Sequence, residues 1–335
     1  MRYFILFFTI IAFIYCSPAN ALQSNNDINR ATHVVSEHLQ LEGKPSEPLV
    51  GDTIAVDVPA GTLNDYPNAH LLVGAVELNE LLRSQPVFLI DARAETGDSL
   101  IPGAVHFPAV SKLTDPDNPI ASYLIGPEAF EQMMREIGLS DDDNAVIYDD
   151  GNSLASARLF YALDYYGFSN AAILNGGFAG WLNSGLPVAS ESVTREPGTF
   201  SVAVQEEKFC SFEYVLAASG QSDKIIFDAR SEDEFTGVDE RAAFSGHIPN
   251  AVNLEWRKVL EPEGIPYFLP ASAIQQKYDE LGITRDKEVI PHCHTNVRGS
   301  HAYFTLRLMG YDSVRAYEGS WSEYGNRNDA VITKP

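Results

Sequence analysis

Cysteine is scarce in this 335-residue sequence. There are three, Cys16, Cys210 and Cys293, too few for a disulfide framework. Positive charge is scarce too: 23 Lys and Arg stand against 46 Asp and Glu, a formal net charge of −23. That balance argues against nucleic acid and anionic membrane surfaces as partners. Long apolar runs are also missing. The run from Tyr3 to Tyr15 is shorter than the roughly 20 residues a spanning helix needs. It follows a basic Arg2 and is succeeded by Ala19-Asn20-Ala21, the small-x-small pattern of a cleaved export signal. Residues 1–21 therefore read as a signal peptide cut after Ala21, and the mature chain as periplasmic or secreted, with no stable membrane insertion. Tyr15 is too bulky for a lipoprotein site at Cys16. Loss of Arg2 with the signal makes the mature charge −24, and Cys210 and Cys293 remain as free thiols or one bridge.

What the chain does contain is repetition. "VFLIDAR" at Val87–Arg93 returns as "IIFDAR" at Ile225–Arg230, and "IPGAVHF" at Ile101–Phe107 returns as "IPNAVNL" at Ile248–Leu254. "GLSDDDNAVIYDDG" from Gly138 is echoed by "GITRDKEVIPHCH" from Gly282. In each copy short apolar runs alternate with helical stretches. They are Val87–Ile90, Ala145–Tyr148 and Ala171–Leu174, then Lys224–Phe227, Glu288–Ile290 and Ser313–Tyr317. The pattern predicts an α/β chain of two tandem domains, each a mostly parallel sheet flanked by helices. The boundaries read as an acidic leader over 22–68, a first domain over 69–188, a Gly/Pro-containing linker over 189–204 and a second domain over 205–335.

The run ending at Pro291 delivers Cys293 to the carboxyl end of a predicted strand, where open α/β sheets place ligands. Ala302, Leu306 and Met309 recur at helical spacing, so a helix is expected from about Gly299. Unpaired amides at its start, its dipole and the Arg298 guanidinium favour an anion, the thiolate form of a cysteine. The polar loop "HCHTNVRGS" offers almost no apolar side chain to pack around sulfur, which points to a reactive thiol at Cys293. Cys210, in "EKFCSFEYV", reads as structural. Four residues, His294, Thr295, Asn296 and Val297, separate Cys293 from Arg298. A phosphatase loop has five, so the ring here suits a single sulfur atom better than a phosphate. His292 and His294 alternate along a loop with no further ligand at suitable spacing, and no metal is expected. His294 reads as a lining of the pocket mouth.

The chain resembles the tandem rhodanese family of sulfurtransferases, exported bacterial type. The resemblance rests on the paired "DAR" elements, "SGHIPNAVNLEW" (Ser245–Trp256), the loop "CHTNVR" and "EGSWSEYGNRND" (Glu318–Asp329), and spans about residues 70–335. It implies an inert first domain and a second domain whose Cys293 becomes a persulfide, with the loop His294–Arg298 as an amide cradle and no cofactor. Aligning Gly167 with Gly310 sets Asp150 opposite Cys293. The implied partners are a small anionic sulfur donor and a thiophilic acceptor, with thiosulfate preferred and 3-mercaptopyruvate as the alternative. A non-catalytic regulatory module and a small-anion phosphatase are the rivals from other classes. The loop departs from the "CRKGVT" and "CGSGVT" patterns of the family and lacks a lysine. Glu234 stands where relatives have arginine and would repel an anion if it faced the pocket. Arg241 then becomes the expected donor-binding residue, followed by Arg298 and Arg257. Asp228 with Arg230 reads as a scaffold ion pair, His247 as a turn-holder, and Trp321 as packing beneath the loop.

Overall fold

The computed structural model describes residues 63–334. The signal read at 1–21 and most of the leader lie outside these residues. The first copy runs β1 (Leu72–Val73), α1 (Ala75–Ser84), β2 (Phe88–Asp91), β3 (Val105–His106), α2 (Ala109–Lys112), α3 (Pro127–Glu136), β4 (Ala145–Tyr148), α4 (Leu154–Tyr165), β5 (Ala171–Leu174) and α5 (Gly177–Asn183). The second runs β6 (Phe209–Cys210), α6 (Phe212–Ala218), β7 (Lys224–Asp228), α7 (Glu232–Thr236), β8 (Val252–Asn253), α8 (Ala271–Glu280), β9 (Glu288–His292), α9 (Val297–Leu308), β10 (Ala316–Tyr317) and α10 (Ser320–Tyr324).

All strand pairs are parallel. The first sheet has the order β1-β5-β4-β2-β3, and the second repeats it with β8-β7-β9, a single parallel bridge from Val289 to Val314, and β10-β6. β2, β4, β7 and β9 are apolar runs buried on both faces, as a sheet covered by helices on each side requires. β10 is shorter than the apolar run Ser313–Tyr317. Pro291, which has no amide hydrogen, lies in β9 beyond the bridge to Val314, where no neighbour on that side needs one.

The two copies share one core. α4 and α9, the helices that follow the central strands, pack on each other through Phe160 edge-on to Phe304 (centroids 4.9 Å apart) and Tyr161 edge-on to Tyr303 (5.0 Å). The Tyr303 hydroxyl donates to Asp164 Oδ2 at 2.6 Å, and Lys208 Nζ bonds Asp164 Oδ1. α9 is buried on nearly every side, so the Ala302, Leu306 and Met309 spacing captured only part of its apolar surface. It also begins at Val297, two residues before the expected start, because Asn296 adopts a left-handed conformation (φ 57°) and caps it.

The end of the predicted leader is built into this core. The Tyr66 hydroxyl donates to the Leu269 carbonyl, and Asn68 donates through its amide to Leu308 O (3.1 Å) and through Nδ2 to Arg307 O (2.7 Å). Residues 189–204 carry no helix or strand and run along the first copy, bonded to it at Leu100, Ala104, Arg135 and Tyr166.

Because one apolar cluster spans both copies, Phe304→Ala is expected to cost about 3–5 kcal/mol while leaving one cooperative transition. Urea unfolding followed by tryptophan fluorescence and circular dichroism tests this. Non-coincident curves would show that the copies unfold separately.

Candidate active site

β9 ends at His292 and α9 starts at Val297, so the loop Cys293–Asn296 must reverse from strand to helix in four residues. Asn296 makes this possible through its left-handed backbone. Gly299 lets the loop close, since a Cβ there would strike Asn296 Oδ1 and approach His292 Cα to 3.2 Å. Cys293 lies at the floor. Its carbonyl accepts from the Trp321 amide (2.9 Å), its amide donates to Ser320 Oγ (3.3 Å), and the His294 carbonyl accepts from Ser322 (2.8 Å). Although its loop neighbours are polar, Cys293 has no exposure, and the start of α10 is bonded directly to it.

The loop in the first copy shows what such a turn requires. There the Asp149 carboxylate sits inside the turn and accepts from the amides of Gly151 (2.9 Å), Ser153 (3.1 Å), Ala155 (3.0 Å) and Ser156 (3.2 Å), and from Ser156 Oγ (3.2 Å). Burial pushes this carboxyl above its ordinary range, against those donors. Ser153 repeats the left-handed cap of Asn296 (φ 60°). In the second copy, among the described residues, no group accepts from the amides of His294, Thr295, Asn296, Val297 or Arg298.

This also corrects the alignment of the copies. β2 pairs Asp91 with Tyr148, while β7 pairs Asp228 with His292, and Phe178 donates to Asp149 O as Trp321 does to Cys293 O. Asp149, not Asp150, therefore occupies the place of Cys293. The first loop is one residue longer, which an alignment anchored on the downstream Gly167 and Gly310 hides.

Arg298 extends from the first turn of α9 and is held by Glu234, Nη1 to Oε2 at 2.5 Å and Nη2 to Oε1 at 2.9 Å. Burial opposes its charge, but Glu234 and the nearby Cys293 sulfur more than offset this and hold Arg298 protonated. Glu234 thus does not face the pocket as a free anion. It is 2% exposed, closes a capping box with Ser231 on α7, and also meets Arg241 at 3.6 Å. Burial works to raise its carboxyl, while the Arg298 hydrogen bonds and charge, the Ser231 amide and Arg241 bring it down to about 2. Arg241 is 47% exposed and bound to Asp239 at 2.7 Å. Arg257 pairs with Glu255 on the surface.

His294 and Thr295 are half-buried. Burial lowers the His294 pKa, with Glu234 opposing and Arg298, Arg241 and Arg230 reinforcing, so the ring is neutral near neutral pH. His292 is fully buried and is lowered by burial against the pull of Asp228. Its Nδ1 lies 3.2 Å from Cys293 O, which suits a donated hydrogen bond. The Asp228–Arg230 pair is bidentate, its guanidinium stacks 4.2 Å over Trp321, and Asp91 with Arg93 repeats this over Phe178. His247 holds its turn through Nδ1 to Phe235 O (2.9 Å). Cys210 is buried against the Ala316 carbonyl, and burial pushes its thiol well up. Among the described residues no three His, Cys, Asp or Glu stand close enough to share an ion.

The rhodanese-like domain model matches residues 74–184 and again 211–327. The chain belongs to the rhodanese family. This rhodanese is 32% identical over 273 residues to a thiosulfate sulfurtransferase of Azotobacter vinelandii, covering 81% of the chain and 99% of that relative. It is also 32% identical to the 3-mercaptopyruvate sulfurtransferase of Escherichia coli K12 over 78% of the chain and 96% of the relative. The crystal structure of SseA from Escherichia coli, described as a 3-mercaptopyruvate sulfotransferase with a rhodanese fold, superposes with a TM-score of 0.67 at 29% identity, covering 75% of this chain and 98% of that one. The chain is a sulfurtransferase, which removes the phosphatase and non-catalytic readings.

Three residues around the loops escaped sequence reasoning. Glu318, which accepts from Asn296 Nδ2 at 2.7 Å and from Arg158 at 2.6 Å, lay inside a motif quoted for resemblance alone. Asp149 was masked by the one-residue shift, and Arg158 was not singled out in the helical stretch that holds it.

The Glu234 carboxyl is depressed from an ordinary 4.5 to about 2, so its stabilising effect is full above pH 4.5 and disappears as pH falls towards 2. Glu234→Gln should therefore lose less stability than the parent between pH 4.5 and 2. Urea midpoints measured across that range should converge on acidification, and parallel curves would contradict the assignment.

Proposed function

We propose that this sulfurtransferase moves a sulfane sulfur from thiosulfate to cyanide or a thiol through a persulfide on Cys293. The Cys293 thiolate attacks the outer sulfur of thiosulfate. A new S–S bond forms, the donor's S–S bond breaks, and sulfite leaves with its electron pair. The acceptor then attacks the outer persulfide sulfur and returns the thiolate. The observation that carries this reading is the set of loop amides, His294 to Arg298, that have no acceptor among the described residues, while the corresponding turn of the first copy closes amides on a carboxylate. A persulfide anion on Cys293 fills that role. His294, Thr295, Asn296, Val297 and Arg298 form the cradle, and Arg298 and Arg241 receive the donor.

One observation favours 3-mercaptopyruvate as a second reading. Arg298 and Arg241 already face Glu234 and Asp239, so the mouth has little spare positive charge and asks less of a donor with one negative charge than of a dianion.

We further propose that residues 1–21 direct export, that 189–204 joins domains spanning 69–188 and 205–335, and that the mature enzyme works in the periplasm or outside the cell. The supports are Arg2, the apolar run and the Ala19-Asn20-Ala21 site.

Mass spectrometry after thiosulfate should show a gain of about 32 Da, one sulfur, on Cys293. Cys293→Ser should abolish it and Cys210→Ser should not. Sulfur acquired from mercaptopyruvate alone would select the second reading, and sulfur on Cys210 alone would overturn both.

Arg241→Ala is expected to raise the donor KM and to lower kcat/KM for thiosulfate about ten- to a hundredfold, the loss of one charge-assisted contact. Discharge of the persulfide to cyanide should change little. Donor kinetics within about twofold of the parent, under roughly 0.4 kcal/mol, would make Arg241 a surface charge only.

A further inference from the structure

The first copy has no thiol in its loop, yet one of its side chains is buried against the loop of the second. Arg158, on α4, is 1% exposed. Its guanidinium grips Glu318 with Nη2 to Oε1 at 2.6 Å and Nη1 to Oε2 at 3.0 Å, and Nη2 also donates to the Ser122 carbonyl at 2.9 Å. The same carboxylate accepts from the Leu124 amide at 2.8 Å and from Asn296 Nδ2 at 2.7 Å. Asn296 is the left-handed residue that ends the sulfur loop. A continuous path thus runs from the first copy through Glu318 to the cap of the loop.

We infer that Arg158 is a positioning residue for the sulfur loop, which fixes the Asn296 cap through Glu318 and cancels a buried negative charge that would otherwise stand near the Cys293 thiolate. The inference takes from the proposed function only that Cys293 is the reacting thiol.

The pseudo-symmetry of the copies supports a role in the site rather than in general packing. Counting from Gly167 and Gly310, the counterparts of Arg158 and Glu318 are His301 and Asn175. Asn175 repeats the backbone contact, accepting from the Phe268 amide at 3.0 Å as Glu318 accepts from Leu124. Asn175 carries no charge, and His301 has no hydrogen-bond partner on either ring nitrogen among the described residues. The contact between copies is therefore made twice, and it is charged only on the side that holds Cys293. Burial alone would weaken the charge on Arg158. Glu318, with a further contribution from the Cys293 sulfur, holds it protonated above its ordinary range.

Other charges stand around the loop: Arg298 on α9, which interacts with the Cys293 sulfur, Glu234, Arg241 and Arg230 around His294, and the Asp228–Arg230 pair beside His292. They stay in place when Arg158 or Glu318 is changed, so differences among the variants report this pair.

The test is the pH profile of Cys293 alkylation by iodoacetamide in the full chain without donor, read at the modified peptide by mass spectrometry. Arg158→Gln leaves Glu318 unbalanced, so its midpoint should move up by about one pH unit, a tenfold change in thiolate population. Glu318→Gln keeps an acceptor for Asn296 but removes the negative charge, so its midpoint should move down. The double variant should return to within about threefold of the parent rate at pH 7. A folded Arg158→Gln with an unshifted midpoint would overturn the inference. Should Arg158→Gln fail to fold, an unshifted Glu318→Gln profile would overturn it equally. Failure of the thiosulfate reading would appear separately, as parent protein that gains no sulfur mass yet shows these same shifts.

Discussion

A turn that passes from a parallel strand straight into a helix points several backbone amides at one spot, and amides kept from water need an acceptor. Both copies of this rhodanese contain that turn, and it is satisfied in two ways. Asp149 folds its own carboxylate into the first and makes it a closed structural element. In the second, Cys293 takes that place and the amides remain available. The difference between the two turns comes from one side chain and one residue of loop length. Gly299, Asn296 and Trp321 serve the second turn by allowing its close approach, its left-handed cap and its fixed floor.

Electrostatics around the sulfur is arranged by pairing. Arg298 is set by Glu234, which α7 presents through a capping box, and Arg241 rests against the same carboxylate. Below, Glu318 is matched by Arg158 from the other copy. In a protein with a net charge of −23, placing each nearby carboxylate in a specific ion pair keeps the summed negative field from disfavouring a thiolate and an incoming anion. The arrangement needs both copies, since α4 contributes one of the cations.

The fold was open to reading because it rests on local features. Apolar runs with helical spacing between them marked β4, β5 and most of β2, β7 and β9, and repetition of "DAR" and "IP-x-AV" marked the duplication. The placement of Cys293 between a strand and a helix was legible from the apolar run before it and the helical spacing after it. What could not be read depends on contacts between distant segments. Glu234 was expected to repel an anion at the pocket, and only the folded chain shows that it turns towards Arg298, 64 positions on. Arg158 and Glu318 are 160 residues apart, and neither carries a local signal. The burial of Cys293 was likewise not legible, since its backbone is bonded to Ser320 and Trp321 of α10, well beyond the loop.

The short segment Tyr66–Asn68 precedes the first copy but bonds to the second, with Asn68 meeting Arg307 some 239 positions later. Synthesis proceeds from the amino terminus, so the first copy emerges complete while the docking site of its own leading segment does not yet exist. The apolar face of α4 that will meet α9 is unpartnered for the same interval. The order of translation therefore leaves the first copy of this enzyme waiting for the second before the segment Tyr66–Asn68 can dock.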